Sequence, residues 1–473
     1  MRHSDTDHAP YIDAPPEDPA ATTQHRVVIV GGGAGGLELA TSLGNRFGRG
    51  KHSSGRMHIT LIDRHSVHIW KPLLHEVAAG SMDAHTHQLE YAAQARWHRF
   101  VFQQGELTGL DRARKIITVS ALHDEHRQEL IPQRDIPYDT LVLAIGSVTN
   151  FFGVPGAAQH ATALDSLNQA EHFRRRMISL CMRADRSINA ATAHHSPASV
   201  NIAIIGAGAT GVELAAELRN TAEVLGAYGL HHLDPHRDIH ISIIEAAPRV
   251  LSALPEPVSQ KTTVLLRQRN IDVRTNSTVA EVQENSVILE QGEVIPADLT
   301  VWAAGIRAPQ VLERLGLPIN RLGQVLVLPT LQTEADPDIF AFGDCAACPW
   351  PEKNSTVPPR AQAAHQQATF LVDAFKRRLA GLSPQPYIYR DLGSLVSLGR
   401  FDGAINQQYS FHRRFLRAHA LHLPISHASH RIARLVAHHC GLYRPMVTAQ
   451  NFATSQVALK MTNDCTKVKN FPL

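Results

Sequence analysis

The sequence predicts an α/β fold built from two copies of one strand–turn–helix unit, with a further C-terminal region. Three observations predict it. The run Val27-Val28-Ile29-Val30 leads into Gly31-Gly32-Gly33-Ala34-Gly35-Gly36 and then into the helical pattern Leu37-Glu38-Leu39-Ala40. The same order returns as Ile202-Ala203-Ile204-Ile205, Gly206-Ala207-Gly208-Ala209-Thr210-Gly211 and Val212-Glu213-Leu214-Ala215. Each copy is followed by another β-branched run that meets an acid. Ile59-Thr60-Leu61-Ile62 runs into Asp63, and Ile241-Ser242-Ile243-Ile244 runs into Glu245.

Each element has a physical reading. In a G-x-G-x-x-G turn the first glycine (Gly31, Gly206) allows the tight bend. The second (Gly33, Gly208) lets backbone approach a pyrophosphate, and the third (Gly36, Gly211) lets helix pack on strand. The helix N-terminus then faces the phosphates. One such turn is weak evidence; two, each between a strand pattern and a helix pattern, are strong. They predict two Rossmann-like dinucleotide-binding domains, and two dinucleotides in one chain point to a flavin fed by a nicotinamide. A carboxylate at Asp63 or Glu245 accepts hydrogen bonds from ribose hydroxyls. Any strand end can carry an acid, but the matching place in both copies favours ribose. Both acids come later than the usual ~20 residues, and polar insertions at Arg46–Arg56 and Gly226–Asp238 account for the delay. Glu245 disfavours a 2′-phosphate, since like charges 4 Å apart repel by ~4 kcal/mol at an effective dielectric near 20. NADH is therefore favoured over NADPH, with Arg249 as the opposing charge.

Length and composition set bounds. The 473 residues allow about three domains. Hydrophobic content of 44% suits substantial cores, and a net charge of +3 is too small to imply nucleic acid. No run of ~18 uncharged apolar residues exists, so no spanning helix is expected. Residues 1–24 read as a polar, Pro-rich disordered tail without a signal-peptide core. Cys181, Cys345, Cys348, Cys440 and Cys465 are odd in number and scattered, as in a reducing compartment without a disulfide framework. From Gly403 onward the only acid is Asp464, against nine Arg and Lys from Arg413 to Lys469 and seven histidines. Such a basic segment reads either as a surface lying on an anionic membrane or as a solvated tail.

The domain order follows from the strand patterns. Residues 25–155 form the first part of one nucleotide domain and close with the buried strand Tyr138–Ser147, which places Ala144 and Gly146 at the site. Residues 156–305 hold a connecting helix (Asp165–Ala191) and the second nucleotide unit, which closes with Asp298–Gly305 and places Gly305. Residues 306–380 return to the first domain. There Ile339-Phe340-Ala341-Phe342 ends in Gly343-Asp344. The glycine permits close approach, and the aspartate suits ribityl hydroxyls or a water on a phosphate; the bland reading is a turn. Residues 381–473 form the C-terminal region, with a strand expected at Leu395–Leu398.

On these motifs the chain resembles the two-dinucleotide flavoprotein reductases, and among them the bacterial type II NADH dehydrogenases, the single-subunit, non-proton-pumping NADH:quinone oxidoreductases. The resemblance covers about residues 25–402. Its most specific pieces are Trp70-Lys71-Pro72-Leu73-Leu74-His75-Glu76-Val77-Ala78, Gly343-Asp344-Cys345-Ala346-Ala347-Cys348-Pro349 and Val357-Pro358-Pro359-Arg360-Ala361-Gln362-Ala363-Ala364-His365-Gln366. The last carries the A-Q-x-A-x-Q pattern of that family's quinone site. The resemblance implies FAD in the first site, NADH in the second and a membrane quinone, ubiquinone or menaquinone, as acceptor. It allows a homodimer and implies a peripheral position on the cytoplasmic face of the inner membrane, or a cytoplasmic one if the C-terminal segment does not bind lipid. No metal is expected.

The residues support that reading in physical terms. Pro358 and Pro359 can open a helix. Gln362, His365, Gln366 and Thr369 then share a face, beside a strip of Ala361, Ala364 and Ala368 narrow enough for a flat ring. Amides at Gln362 and Gln366 bond quinone carbonyls without bringing a charge; otherwise this is an ordinary polar face. The resemblance puts Glu213 near the flavin–nicotinamide junction, where it orients the nicotinamide or influences proton movement. The plain alternative is a dipole contact on the first turn of its helix. Glu38, at the same place in the first copy, is read as structural. Lys71 near a flavin stabilises the charge that develops on reduction; as a loop lysine it is merely solvated.

Two rivals remain: a soluble reductase of this fold with a protein or oxygen acceptor, and a catalytically impaired flavoprotein. Disulfide reductases and sulfide:quinone reductases need cysteines absent here, since none precedes Cys181. Cys345-x-x-Cys348 is read as structural, with metal or redox sensing as the minority reading. The C-terminus departs from the family. Arg431–Val436 and Leu442–Arg444 still resemble it, but 404–430 and Pro445–Leu473 lack its apolar amphipathic helices. A local frameshift would explain this, and translating the other reading frames tests it.

Overall fold

The computed structural model describes residues 24–49, 55–190, 199–398 and 403–406. The expectations for the N-terminal tail, the basic C-terminal segment and its departure from the family lie outside these residues. In chain order the elements that matter are β1 (His25–Val30), α1 (Ala34–Phe47), β2 (Met57–Asp63), α2 (Leu74–Ala79), α3 (Tyr91–His98), β3 (Val101–Gln104) and β4 (Thr140–Leu143). Then come β5 (Ala161–Ala163), α4 (Leu167–Ala190), β6 (Val200–Ile205), α5 (Ala209–Glu223), β7 (Ile239–Ile244), β8 (Ile271–Arg274), β9 (Leu299–Trp302), β10 (Gln332–Thr333), β11 (Asp336–Ala341), α6 (Ala361–Leu379) and β12 (Ser394–Ser397).

Contacts divide the chain into two units. The first takes its residues from Met1–Lys71, His85–Val148 and Ile306–Tyr389. Its sheet has the order β10-β11-β4-β1-β2-β3, with β1 parallel to both β2 and β4. Register pairs Val30 with Leu143 on one side and with Ile62 on the other. Because β1 connects to β2 but also borders β4, the strand order reverses at β1. That reversal opens a crevice beyond the strand ends, where such sheets bind ligands. Val27, Val28, Ile29 and Val30 are buried, as a central strand covered on both faces requires.

The second unit takes its residues from Pro72–Ala84, Thr149–Gly305 and Arg390–Leu473. Its sheet runs β5-β9-β6-β7-β8, all parallel. Ile205 pairs with Trp302 and with Ile244, the counterparts of the Val30 pairings. The core beneath includes Ile205, Ile244, Val282, Leu289 and Trp302. Trp302 keeps its indole N–H satisfied by donating to the carbonyls of Asn150 and Ala304.

Each unit also carries a three-stranded antiparallel sheet, Leu107–Asp111, Ile116–Val119 and Arg134–Pro137 before β4 in one and Val279–Val282, Ser286–Leu289 and Val294–Pro296 before β9 in the other. Residues 72–84 group by contact with the second unit, where the sequence division had put them in the first. The reason is packing: α2 lies against α4 and α5. The first unit likewise runs on to Tyr389, past residue 380, because Tyr387 donates its backbone N–H to Pro329 and packs on Phe370.

Candidate functional site

Both glycine turns form as their spacing requires. Gly31 has φ +104° and Gly206 φ +102°, a left-handed region that favours glycine. A Cβ at Gly36 would collide with the Gly31 carbonyl, and one at Gly211 with the Gly206 carbonyl. Gly33 and Gly208 are exposed, with no atom within 4 Å of where a Cβ would stand. They are also the N-caps of α1 and α5, and neither helix has a side-chain cap or an acid in its first turn. The first N–H groups of both helices are thus not taken by a side-chain cap, and a phosphate group fits there.

The acids meet the turns in parallel fashion. Asp63 accepts from the N–H of Gly32 at 2.7 Å and of His65 at 2.9 Å. Glu245 accepts from Ala207 at 2.7 Å and Ala247 at 2.8 Å. Backbone amides hold each carboxylate at the strand end, where each oxygen keeps further acceptor capacity for a ribose hydroxyl. Arg249 donates to the carbonyls of Ser252 and Leu254, both at 2.8 Å. Its guanidinium is thus held by the loop beside Glu245.

Within the first unit a polar chain runs beside the turn. Lys71 Nζ donates to the Ser147 carbonyl at 2.9 Å, and Ser147 Oγ donates to Asp344 Oδ2 at 2.8 Å. Burial raises the Asp344 carboxyl pKa, while the Ser147 bond and the Lys71 charge oppose the rise. Ala144 and Gly146 follow the end of β4. Gly343 (φ +72°) donates its N–H to Gln367 Oε1 at 2.8 Å, which ties α6 to the Gly343–Asp344 turn. Ser147 and Gln367 were missed in the sequence because each acts on a turn distant in the chain.

Helix α6 differs from expectation. Its N-cap is Arg360, so Pro358 and Pro359 precede the helix rather than open it. The side chains expected on one face serve different partners. His365 Nδ1 meets Glu38 Oε2 at 2.7 Å, and Thr369 Oγ1 donates to Glu38 Oε1 at 3.4 Å. Glu38 is buried and joins α1 to α6, the structural part expected of it. Gln362 Oε1 instead accepts from Tyr389 Oη at 3.0 Å, and Gln366 is half-buried. Ala368 is fully buried, so it cannot line an open strip.

In the second unit Glu213 is the fifth residue of α5, beyond the first turn, so the helix-dipole alternative loses its basis. Its Oε1 accepts from the Ser397 N–H at 2.9 Å, and its Oε2 lies 4.0 Å from His75 Nδ1. Burial pushes its pKa up to about 8, the charges of Glu76 and Glu217 add to the rise, and the Ser397 N–H opposes it. Burial and Glu217 push Glu76 up to about 7. Burial takes His75 down to about 4. Near pH 7 the Glu213–His75 contact is therefore between two neutral groups, not an ion pair. Glu76 gave no sequence signal, because α2 lies far from α5 in the chain, whereas Glu217 stands beside Glu213 through its i,i+4 spacing on α5.

Cys345 and Cys348 are buried thiols whose pKa burial pushes up to about 11. A reactive thiolate needs the opposite shift. Among the described residues no cluster of His, Cys, Asp and Glu is arranged to hold a metal.

The model of the pyridine nucleotide-disulphide oxidoreductase family matches residues 25–368. A type II NADH:quinone oxidoreductase of Haemophilus influenzae is 42% identical over 384 residues, covering 79% of this chain and 85% of the relative. This chain belongs to the type II NADH:quinone oxidoreductases. The enzyme of that name from Mycobacterium tuberculosis is 28% identical over 402 residues, covering 82% of this chain and 81% of the relative. Among solved structures, NDH2 from Plasmodium falciparum in complex with NADH superposes with a TM-score of 0.69 at 19% identity, over 82% of this chain and 91% of that one. A sulfide:quinone oxidoreductase from Aquifex aeolicus superposes with a TM-score of 0.60 at 21% identity, over 78% of this chain and 80% of that one. At these identities the likeness shows the fold, that of the two-dinucleotide flavoprotein reductases. Within the type II family the cofactors are FAD and NADH, and the residues of both turns fit dinucleotides.

Proposed function

We propose that this chain oxidises NADH and reduces a membrane quinone, ubiquinone or menaquinone, without pumping protons. The balance is NADH + H⁺ + quinone → NAD⁺ + quinol. FAD, when bound, supplies the carrier that takes hydride from NADH and passes two electrons on. The observation that carries the reading is the pair of open, side-chain-uncapped glycine turns, each with a carboxylate held at the neighbouring strand end by a turn amide.

The chain's own groups have defined tasks. Gly31, Gly33, Gly36 and Asp63 bind the flavin dinucleotide; Gly206, Gly208, Gly211 and Glu245 bind NADH, with Gly305 at the end of the neighbouring strand. Asp344, held by Ser147, offers an acceptor to a ribityl hydroxyl, while Ala144, Gly146 and Gly343 leave room for backbone approach. Lys71 puts a positive charge beside that network. The Gln362 oxygen is engaged by Tyr389, so its amide N–H₂ is the end available to a quinone carbonyl, with Gln366 one turn on. Glu213 holds a proton at neutral pH in a water-poor setting, as a group that orients nicotinamide or delivers a proton must. The enzyme binds the cytoplasmic face of the inner membrane peripherally, through its basic C-terminal region, and a homodimer is the proposed assembly. Among the described residues no helix is long and apolar enough to cross a membrane.

The test is a two-stage spectrum. NADH added without oxygen should bleach the flavin band, and a short-chain quinone should restore it. Restoration by oxygen or a ferredoxin-like protein but not by quinone would contradict the proposal.

A further inference from the structure

We propose that His68 and Tyr91 are positioning residues for the flavin dinucleotide, acting through the carbonyl of Gly32. The inference rests on the first turn holding FAD. Tyr91 Oη donates to the Gly32 oxygen at 2.7 Å, and His68 Nδ1 lies 2.9 Å from the same atom. A carbonyl oxygen only accepts, so Nδ1 carries the imidazole proton. The opposite end of Gly32, its N–H, is taken by Asp63. Three side chains thus fix one glycine from both ends.

Peptide stereochemistry turns this grip into a binding device. In a planar trans peptide the C=O and the following N–H point in opposite directions. Drawing the Gly32 carbonyl inward to Tyr91 and His68 turns the Gly33 N–H outward. Gly33 is the exposed residue with open space around it and is the N-cap of α1. If this peptide flipped, a carbonyl oxygen would face the pyrophosphate and repel it. Glycines have little intrinsic resistance to that flip, so the side-chain donors must supply it.

The donors themselves are rigid. Tyr91 and His68 are buried, at 2% and 7% exposure. The Tyr91 ring stacks on Phe102 with centroids 5.0 Å apart, and His68 meets the edges of Tyr91 and Trp70. Burial lowers the His68 pKa, which keeps the imidazole neutral. The close seat also explains the residue at position 32, because a Cβ there would strike the Tyr91 ring. The second turn reaches the same end by other means: Ala207 takes the place of Gly32, and its carbonyl accepts the backbone N–H of Leu251 at 2.8 Å.

The test measures FAD affinity of the apoprotein by quenching of flavin fluorescence, alongside NAD⁺ affinity of the same sample. Tyr91→Phe keeps the ring and removes one donor, and should weaken FAD binding about 3- to 10-fold. Tyr91→Phe with His68→Phe should weaken it by more than the product of the single effects, since each donor covers for the other on one oxygen. His68→Asn keeps an N–H donor and should stay within about 2-fold of the parent. NAD⁺ affinity should not move in any of them. Unchanged FAD affinity in the double variant would overturn the proposal, and so would an equal loss of FAD and NAD⁺ affinity, which marks general loosening. Neither readout involves quinone, so a wrong acceptor assignment would leave this result standing.

Discussion

The two glycine turns are near copies in backbone and unlike in surroundings. Gly31 and Gly206 differ by two degrees in φ, and Asp63 and Glu245 hold the next amide at the same 2.7 Å. The helices that follow both start without a side-chain cap. Beside the first turn, however, lies the Lys71–Ser147–Asp344 chain. The second unit instead gathers two further carboxyl groups, Glu76 and Glu217, and a neutral His75 around Glu213. The lesson is that the turn answers to pyrophosphate alone, which both cofactors share. What distinguishes a resident flavin from a passing nicotinamide is built by residues outside the turn.

The largest effects should come from the turns themselves. Gly36→Ala forces a methyl against the Gly31 carbonyl, and the protein should purify colourless with NAD⁺ binding intact. Gly211→Ala does the same at Gly206; that protein should be yellow, yet NADH should no longer bleach it. If either substitution abolished both bindings, the two turns would not be independent sites.

Next in size is the pH response of Glu213. Its carboxyl keeps a proton up to about pH 8 when folded, while an unfolded glutamate loses it near 4.3. Between those values the unfolded state binds fewer protons, so this group makes stability fall as pH rises, and the loss levels off above about 8. Glu213→Gln still accepts from Ser397 and removes that dependence. Its stability should equal the parent's below pH 4.5 and exceed it by roughly 4 to 5 kcal/mol near pH 8, at about 1.4 kcal/mol per pKa unit. The groups facing it, His75 and Glu76 from α2 and Glu217 from its own helix, remain. A gain that did not grow with pH would contradict the protonated carboxyl.

A smaller effect tests nucleotide choice. Glu245→Gln keeps an acceptor but loses the charge that repels a 2′-phosphate. NADH affinity should fall about 10-fold, and the preference over NADPH should narrow in the same Kd measurements. The smallest separates the two turns at their second residue. Ala207→Gly should weaken NADH binding only about 2- to 5-fold, through chain entropy, whereas Gly32→Ala should expel Tyr91 and cost far more FAD affinity.

What the sequence made legible were features that local backbone rules enforce. The two turns, the acids at the strand ends, the helix at 167–190 and the strand at Ser394–Ser397 all follow from residue types within a few positions. The site's supports were not legible. His68 and Tyr91 reach Gly32 from 36 and 59 residues away, and Gln367 reaches Gly343 from 24. Helical spacing put Gln362, His365, Gln366 and Thr369 on one face. Spacing could not reveal that Glu38 on another helix would claim two of them. The family resemblance rested on short motifs whose chemistry is local, which is why it was readable before the packing was.

The most direct measurement is an anaerobic titration of the purified yellow protein with NADH, followed at the flavin band. One NADH per flavin should bleach it completely, because each turn binds its own dinucleotide and a hydride passes between them. A flavin that stays oxidised with NADH bound, or a protein that takes up no flavin, would contradict the account.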